Sequence, residues 1–287
     1  MSIGNVMSVI NSSLNDLNRA QSSQAESIKR IATGTKYYSP ANGASEYAIV
    51  QRIYNNIGSV TQSNSNTQTT NAMLNVAAGA VSNTINSLSS LKQTLISAAN
   101  GTNSNSDVAA LQESVNQTLS QIDSNAQITY NGQSLLDGSQ SIQVASDNGY
   151  ETINLGDMST AGLGLTDSEG NSNITLGDLS DLGTAIDTVD SALNTALDQA
   201  TTIGAAQKGL EYQSANYTTM EENLYEAVST IDDTDIAAES VNNASANAQS
   251  QVALWAIKQG MQALSKEVGS LGELYTHNPN AAYNLLS

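Results

Sequence analysis

Helical periodicity is concentrated at the two ends of this chain, and a shorter, turn-rich, acidic stretch separates them. Patterned termini of this length must pack on each other or on other molecules, so the ends read as the adhesive parts of the chain and assembly as its function. In residues 3–33, Met7, Leu14, Gln21 and Ile28 repeat at one heptad position, and Ile3, Ile10, Leu17, Gln24 and Ile31 at another. That is the spacing of a coiled-coil seam, diluted by Gln and Ser. Few large apolar groups offset the ordering entropy. The segment is therefore expected to be disordered or loosely helical as a free chain and to order against partner chains. A second run, from about Asp181 to Ile231, keeps heptad register through Ile186, Val189, Leu193, Ala196, Ala200, Ile203, Leu210, Tyr217, Leu224, Val228 and Ile231. A run this long favours a rod over a globule.

Charge follows the same division. Residues 1–106 carry six bases and three acids, residues 240–287 two Lys and two Glu, and residues 107–239 carry 22 acids against the single base Lys208. The net charge of −18 therefore belongs to the middle, which disfavours nucleic acid and anionic membranes as partners. The 287 residues hold no Phe, one Trp and no Cys, and 39% are hydrophobic. Ala, Ile, Leu and Val must supply most of the core, which suits slender helix-on-helix packing. The lack of Cys removes disulfide and thiol chemistry. Met1–Val6 has no cationic region, apolar stretch or cleavage pattern of a secretory signal, and no run of about 18 apolar residues suggests a membrane span.

Between the patterned runs the breaks are legible. Gly34 is a candidate C-cap, Pro40 cannot sit inside a helix, and Asn42-Gly43 signals a turn. Helix resumes from Ala44 to about Asn100, and a third helix is expected over about Asp107–Ala126 with Val108, Leu111, Val115, Leu119 and Ile122 on one face. Asn131-Gly132 opens the irregular middle, where Ser141–Ala145 and Glu151–Leu155 read as two strands of a hairpin. A last helix begins near Asp235 and carries Val252, Trp255, Met261, Leu264, Val268 and Leu271, with a break at Asn278-Pro279-Asn280 before Leu285-Leu286. The expected fold is mainly α: a long coiled-coil-like helical rod built from both termini, with a small β-hairpin and loop region in the middle. Its expected parts are residues 1–43, 44–138, 139–180, 181–234 and 235–287.

Several segments, in order along the chain, resemble bacterial flagellin. Glu26–Gly34 is similar to the family's ERLSSG-type segment, Tyr47–Arg52 to its QAIANR-type segment, and Ala98–Asn103 to its ATNGTN turn. Ile128–Gly132 with Leu135–Gly138 is similar to the QFNG…LLDG stretch, Ile142–Ala145 and Leu163–Leu165 to the hairpin and the segment after it, and Ser229–Ala237 to SRIEDSDYA. The resemblance implies a short flagellin without large outer domains. It implies a filament subunit for motility, extracellular and exported without a cleaved signal peptide, with terminal helices forming the tube. Partners would be further copies, an export chaperone, and hook-associated and cap proteins. Ile3, Met7, Ile10, Leu14, Leu17, Ile28, Ile31, Val252, Met261, Leu264, Val268, Leu271, Leu285 and Leu286 are the expected polymer contacts.

Three departures stand out. The acidic turn after the first helix is replaced by Asn42–Ser45 behind Tyr37-Tyr38, and the stretch after Asp235, with Trp255 and His277, is longer than the family pattern. The receptor-activating segment corresponds to Leu88, Ser90, Leu91, Gln93 and Ser97. Ser90 stands where the family carries the Arg that inserts into the flagellin-sensing Toll-like receptor, and Gln93 replaces a Glu. An Arg of that kind is often a binding hot spot, so weak activation is expected.

No catalytic, cofactor or metal constellation is expected. His277 is the single His, and no HExxH, CxxC, GxGxxG or P-loop pattern occurs. Asp232–Asp235 lacks the Gly and distal Glu of a calcium loop and reads as a helix start. Tyr37, Tyr38, Tyr47 and Tyr54 fit either a contact cluster or bundle packing. The Ser/Thr/Asn-rich surface fits either O-glycosylation or plain solubility. The alternatives to a filament subunit are a hook–filament junction protein, which would not self-polymerise, and a secreted adhesin.

Overall fold

A computed structural model of the chain describes residues 3–277 apart from 140, 147–148, 168 and 177–178. The described residues form helices α1 (Ile3–Thr33), α2 (Ala44–Ala98), α3 (Asn105–Ala126), α4 (Leu179–Asp232) and α5 (Ile236–His277), with short strands β1 (Thr129–Tyr130), β2 (Gln133–Ser134), β3 (Ser141–Ser146) and β4 (Gly149–Asn154). The fold is mainly α with two small antiparallel hairpins, β1–β2 and β3–β4. The chain divides into two compact units, residues 1–54 with 226–287, and residues 55–225.

In the first unit, α1 packs antiparallel on α5: Arg30 approaches Glu239 near the start of α5, and Ile10 lies against Gly260 farther along it. Residues 3–33, expected from sequence to carry a diluted heptad seam, form that helix. The segment is one continuous helix, because α5 of the same chain covers one of its faces.

The bend after α1 is built by backbone chemistry. Gly34 ends the helix at φ 72°, a left-handed conformation that a side chain disfavours. Lys36 N–H donates to the Asp232 carbonyl at 2.6 Å, Tyr37 N–H to Asp232 Oδ1 at 2.8 Å, and Thr234 N–H to the Gly34 carbonyl at 2.9 Å. Pro40–Asn42 form a 3₁₀ turn, and Gly43 follows at φ 147°. A Cβ on Gly43 would sit 2.6 Å from the Tyr37 ring, so this glycine is needed for space as well as for φ. Tyr38 receives Lys29 over its ring at 5.6 Å and an Asn42 Nδ2 hydrogen bond at 3.2 Å. Tyr37 and Tyr38 thus close the bend. Asp235 begins α5 as a cap, accepting from Ala238 N–H at 3.0 Å, the role expected for this acidic run.

In the second unit, α2 and α4 run antiparallel. Thr61 donates to Glu221 at 3.0 Å, Ser214 to Asn64 at 2.6 Å, Gln207 to Asn75 at 2.8 Å and Lys92 to Asp190 at 2.6 Å. Beneath these bonds lies one contiguous core. Leu74, Val81, Leu88, Leu91 and Leu95 of α2 meet Val115, Leu119 and Ile122 of α3 and Leu182, Val189, Ile203 and Leu210 of α4. Helix α3 starts with a capping box, Ser104 and Asp107 each bonding the other's backbone N–H.

The middle of the chain is bound to this core. Val144, Ile153, Leu155, Met158, Leu163, Leu165 and Ile174 are buried in it. Asp123 accepts from both Thr160 N–H and Oγ1 at 2.8 Å. Gln112 receives Leu176 N–H at 3.0 Å and donates to the Ile174 carbonyl at 3.1 Å. Asn131-Gly132, read from sequence only as the start of irregular structure, makes the two-residue turn joining β1 and β2, with φ 50° and 79°. Positive φ at both positions is the signature that favours Asn-Gly in tight hairpins.

Candidate assembly interface

The α1/α5 pair carries most of the residues singled out from the sequence, and it arranges them in an unexpected way. On α1 the row facing α5 is Ile3, Val6, Ile10, Ser13, Leu17, Ala20, Gln24, Ser27 and Ile31, all buried or half-buried. The expected row Ile3–Ile10–Leu17–Ile31 is therefore on the seam. Its partner row is Val6, Ser13, Ala20 and Ser27, which the sequence reading missed, and not Met7, Leu14, Gln21 and Ile28. Met7, Leu14 and Ile28 are 46%, 43% and 50% exposed. On α5 the seam is Glu239, Asn243, Ala246, Ser250, Ala253, Ile257, Gly260, Leu264, Glu267 and Leu271. Of the expected contacts, Leu264 and Leu271 are half-buried there. Val252, Met261 and Val268 are exposed, as are Leu254 and Trp255. Leu285 and Leu286 lie outside the described residues.

The physical reason is close approach. Small side chains at one of the two seam positions let the helix backbones come together, much as knobs enter holes. A Cβ on Gly260 would sit 2.6 Å from Ile10 Cγ1. Met7, Leu14, Ile28, Met261 and Val268 flank the seam and are exposed. The missed signal was in the sequence: Ser13, Ala20 and Ser27 recur every seven residues, as do Ala246, Ala253 and Gly260.

One charged group enters the seam. Glu239 is 7% exposed. A hydrogen bond from Ser27, another from Asn242 at 3.2 Å, and the Arg30 guanidinium at 3.6 Å hold its carboxyl below the usual glutamate range, in that order of effect and against burial. Arg30 also reaches Glu26 at 3.8 Å. These groups line a polar cavity of about 300 Å³ with Ser23, Ser245 and Gln249. It positions no nucleophile or acid–base pair. Among the described residues no group of His, Cys, Asp and Glu is arranged to hold a metal ion. No helix among them is long and apolar enough to cross a membrane.

The receptor-segment positions separate by burial. Leu88 and Leu91 are fully buried in the core of the second unit, whereas Ser90, Gln93 and Ser97 are exposed on α2.

Residues 5–141 match the model of the bacterial flagellin N-terminal helical region and residues 186–271 that of the flagellin C-terminal helical region, together well over half of the chain. The chain is 33% identical to the phase 1 flagellin of Salmonella naestved over 155 residues, 53% of this chain and 31% of that protein. The match thus spans about a third of the length of such curated relatives. The crystal structure of Bacillus cereus flagellin is 26% identical, covering 53% of this chain and 88% of that one, with a TM-score of 0.46. A Vibrio parahaemolyticus protein described as flagellar hook-associated shares the fold at a TM-score of 0.58 and 12% identity, covering 67% of this chain and all of that one. With both terminal helical regions matched and α1 paired to α5, the chain belongs to the bacterial flagellin family.

Proposed function

We propose that this chain is a structural subunit that polymerises into the flagellar filament, outside the cell, through its terminal helices. The observation that carries the reading is the inverted distribution of side chains on α1 and α5. Small residues occupy much of the internal seam, and Met7, Leu14, Ile28, Val252, Met261 and Val268 face outward. Burying a large apolar side chain stabilises by about 1.5–3 kcal/mol. A set of them on one helix pair marks a surface completed by other molecules. Further copies cover it in the filament, an export chaperone covers it beforehand, and hook-associated and cap proteins cover it at the filament ends. Leu285 and Leu286 belong to the same contact set. The function is mechanical, with no enzymatic step.

Seeded elongation tests this. Purified chain added to filament fragments should lengthen them under the electron microscope, and deletion of residues 1–30 should abolish growth. Normal filaments from the deleted chain would overturn the reading. A chain that never elongates seeds would favour the junction-protein alternative.

Recognition by the flagellin-sensing Toll-like receptor is proposed to be weak. The exposed positions of that segment are Ser90, Gln93 and Ser97, which offer no guanidinium to the receptor. Reporter-cell activation by purified monomer should fall well short of that from stimulatory flagellins; equal potency would refute the assignment.

A further inference from the structure

The seam between α1 and α5 does not by itself choose a register. Its inward rows repeat every seven residues on both helices: Ile10 with Leu17 and Ser13 with Ala20 on α1, Ala246, Ala253 and Gly260 on α5. Ile10 lies over Gly260, where a Cβ would come within 2.6 Å of Ile10 Cγ1. A slide of α1 by one heptad would set Leu17 over Gly260 and put Ala20 where Ser13 stands. Large side chains would still meet small ones. With 42 residues against 31, α5 is long enough to receive the slid helix. The slide would also release Glu239, 7% exposed, from a buried position that costs free energy unless it is well paired. Apolar periodicity thus accepts both registers.

A clasp at the root of the pair distinguishes them. Asp232 is 3% exposed. Its Oδ1 accepts from Tyr37 N–H at 2.8 Å and its carbonyl from Lys36 N–H at 2.6 Å. Thr234 N–H donates to the Gly34 carbonyl at 2.9 Å, and Thr35 and Asp233 form an antiparallel bridge. Farther in, Arg30 faces Glu239 at 3.6 Å. Arg30 is in the last turn of α1 and Glu239 in the first turn of α5, each at the helix end whose dipole favours its charge. None of this repeats with the heptad. One heptad from Glu239 stands Ala246, so a slid Arg30 would meet no acid there.

We propose that this clasp, and not the seam, sets the register of α1 on α5. It is a conformational lock that holds a slippable helix pair in one of two heptad-spaced arrangements. A polar group in a heptad seam fixes register in the same way, by being satisfied in one alignment only. The lock is a property of the single chain and goes beyond the filament reading.

The chain has no Cys, so disulfides can read the register. A Cβ at Gly260 lies 4.0 Å from Ile10 Cβ, inside the about 3.5–4.5 Å span that a disulfide bridges. Ile10→Cys/Gly260→Cys therefore reports the observed register. Leu17→Cys/Gly260→Cys, with Ile10→Ala to clear space, reports the slid one. In the observed register its two sites are about 10 Å apart along the axis, too far to bridge. The clasp is opened by Asp232→Ala, Thr234→Pro and Arg30→Ala, which remove the acceptor for Tyr37, the donor to Gly34 and the charge beside Glu239.

Dilute monomer is oxidised and its intramolecular disulfides are mapped. With the clasp intact, the first pair should close and the second should not. With the clasp open, the second should close many-fold faster than before, at the expense of the first. Asp232→Asn, which keeps the acceptor, should leave the first pair dominant. If the first pair alone still closes with the clasp open, the seam sets the register and the proposal is overturned. Closure of neither pair overturns it too, because the clasp then holds the helices together and does not align them. Should the triple variant fail to fold, Asp232→Ala alone decides. The second pair should close several-fold faster than in the parent, with α1 amides keeping their protection from hydrogen exchange. No gain, or loss of that protection, overturns the proposal.

Discussion

The core of the second unit and the seam of the first are both built on heptad-spaced helices, yet they finish differently. In the second unit Leu74, Leu88, Leu91, Leu95 and Ile122 are fully buried within one chain. In the first unit the buried positions include Ser13, Ala20, Ser27, Ala246 and Ala253 beside Val6 and Ile10, while Met7, Leu14, Ile28, Met261 and Val268 are exposed. A single chain therefore completes one core, whereas its other helix pair keeps several large apolar side chains exposed. Apolar content alone does not distinguish a core from an interface. What distinguishes them is whether the large side chains point at the chain's own helices.

Four experiments would break or sharpen this contrast. The largest effect is expected from removing residues 1–30: filament growth should vanish while the second unit keeps its own thermal transition, followed by circular dichroism. Loss of both would mean that the two units do not fold independently.

Next, Leu91→Ala should destabilise the second unit by about 2–5 kcal/mol, the range for emptying a tightly packed leucine site. Leu14→Ala, on the outward row, should change monomer stability by less than about 0.5 kcal/mol yet slow elongation markedly. Chemical denaturation and seeded growth, measured on both variants, separate the two. Equal loss of monomer stability would place Leu14 in an internal core.

Gly260→Val probes the seam itself. A Cβ there meets Ile10, and overpacking typically costs about 1–3 kcal/mol. The protection of α1 amides against hydrogen exchange should fall, with the second unit unaffected.

The smallest effect concerns pH. The Glu239 carboxyl titrates below the ordinary value of 4.5, held there chiefly by Ser27 and helped by Asn242 and Arg30. A lowered folded-state value adds stability that is present above 4.5 and is lost as pH falls through the folded value. Pairing of α1 with α5 should therefore weaken in acid below 4.5, and Glu239→Gln should flatten that dependence. An identical acid response in the variant would assign it to other carboxylates.

Much of the fold is legible in the sequence. The five helices, the β3–β4 hairpin and the break at Gly34–Gly43 follow from periodicity, Gly and Pro placement, and Asn-Gly signals. Reading failed where two answers share one period. Met7–Leu14–Ile28 and Val6–Ser13–Ala20–Ser27 both repeat every seven residues, and either can complete a seam with Ile3–Ile10–Leu17–Ile31. A search for large apolar groups picks the first. The β1–β2 turn was missed because its strands are two residues long and carry no alternation. The binding of the middle segment to α3 and α4 was also illegible, because it depends on single long-range bonds such as Asp123 to Thr160 and Gln112 to Leu176.

The order of residues alone settles that this chain is helical at both ends, acidic between them and devoid of thiol chemistry, because periodicity, charge and composition are local properties. Which row of α1 turns inward is a different kind of fact. It is decided by the surface that α5 presents, where the small Ala246, Ala253 and Gly260 receive the Val6–Ile10–Ser13–Leu17–Ala20 face of α1. Only when the two helices meet is it settled that Met7, Leu14 and Ile28 stay exposed while Val6, Ile10 and Leu17 turn inward.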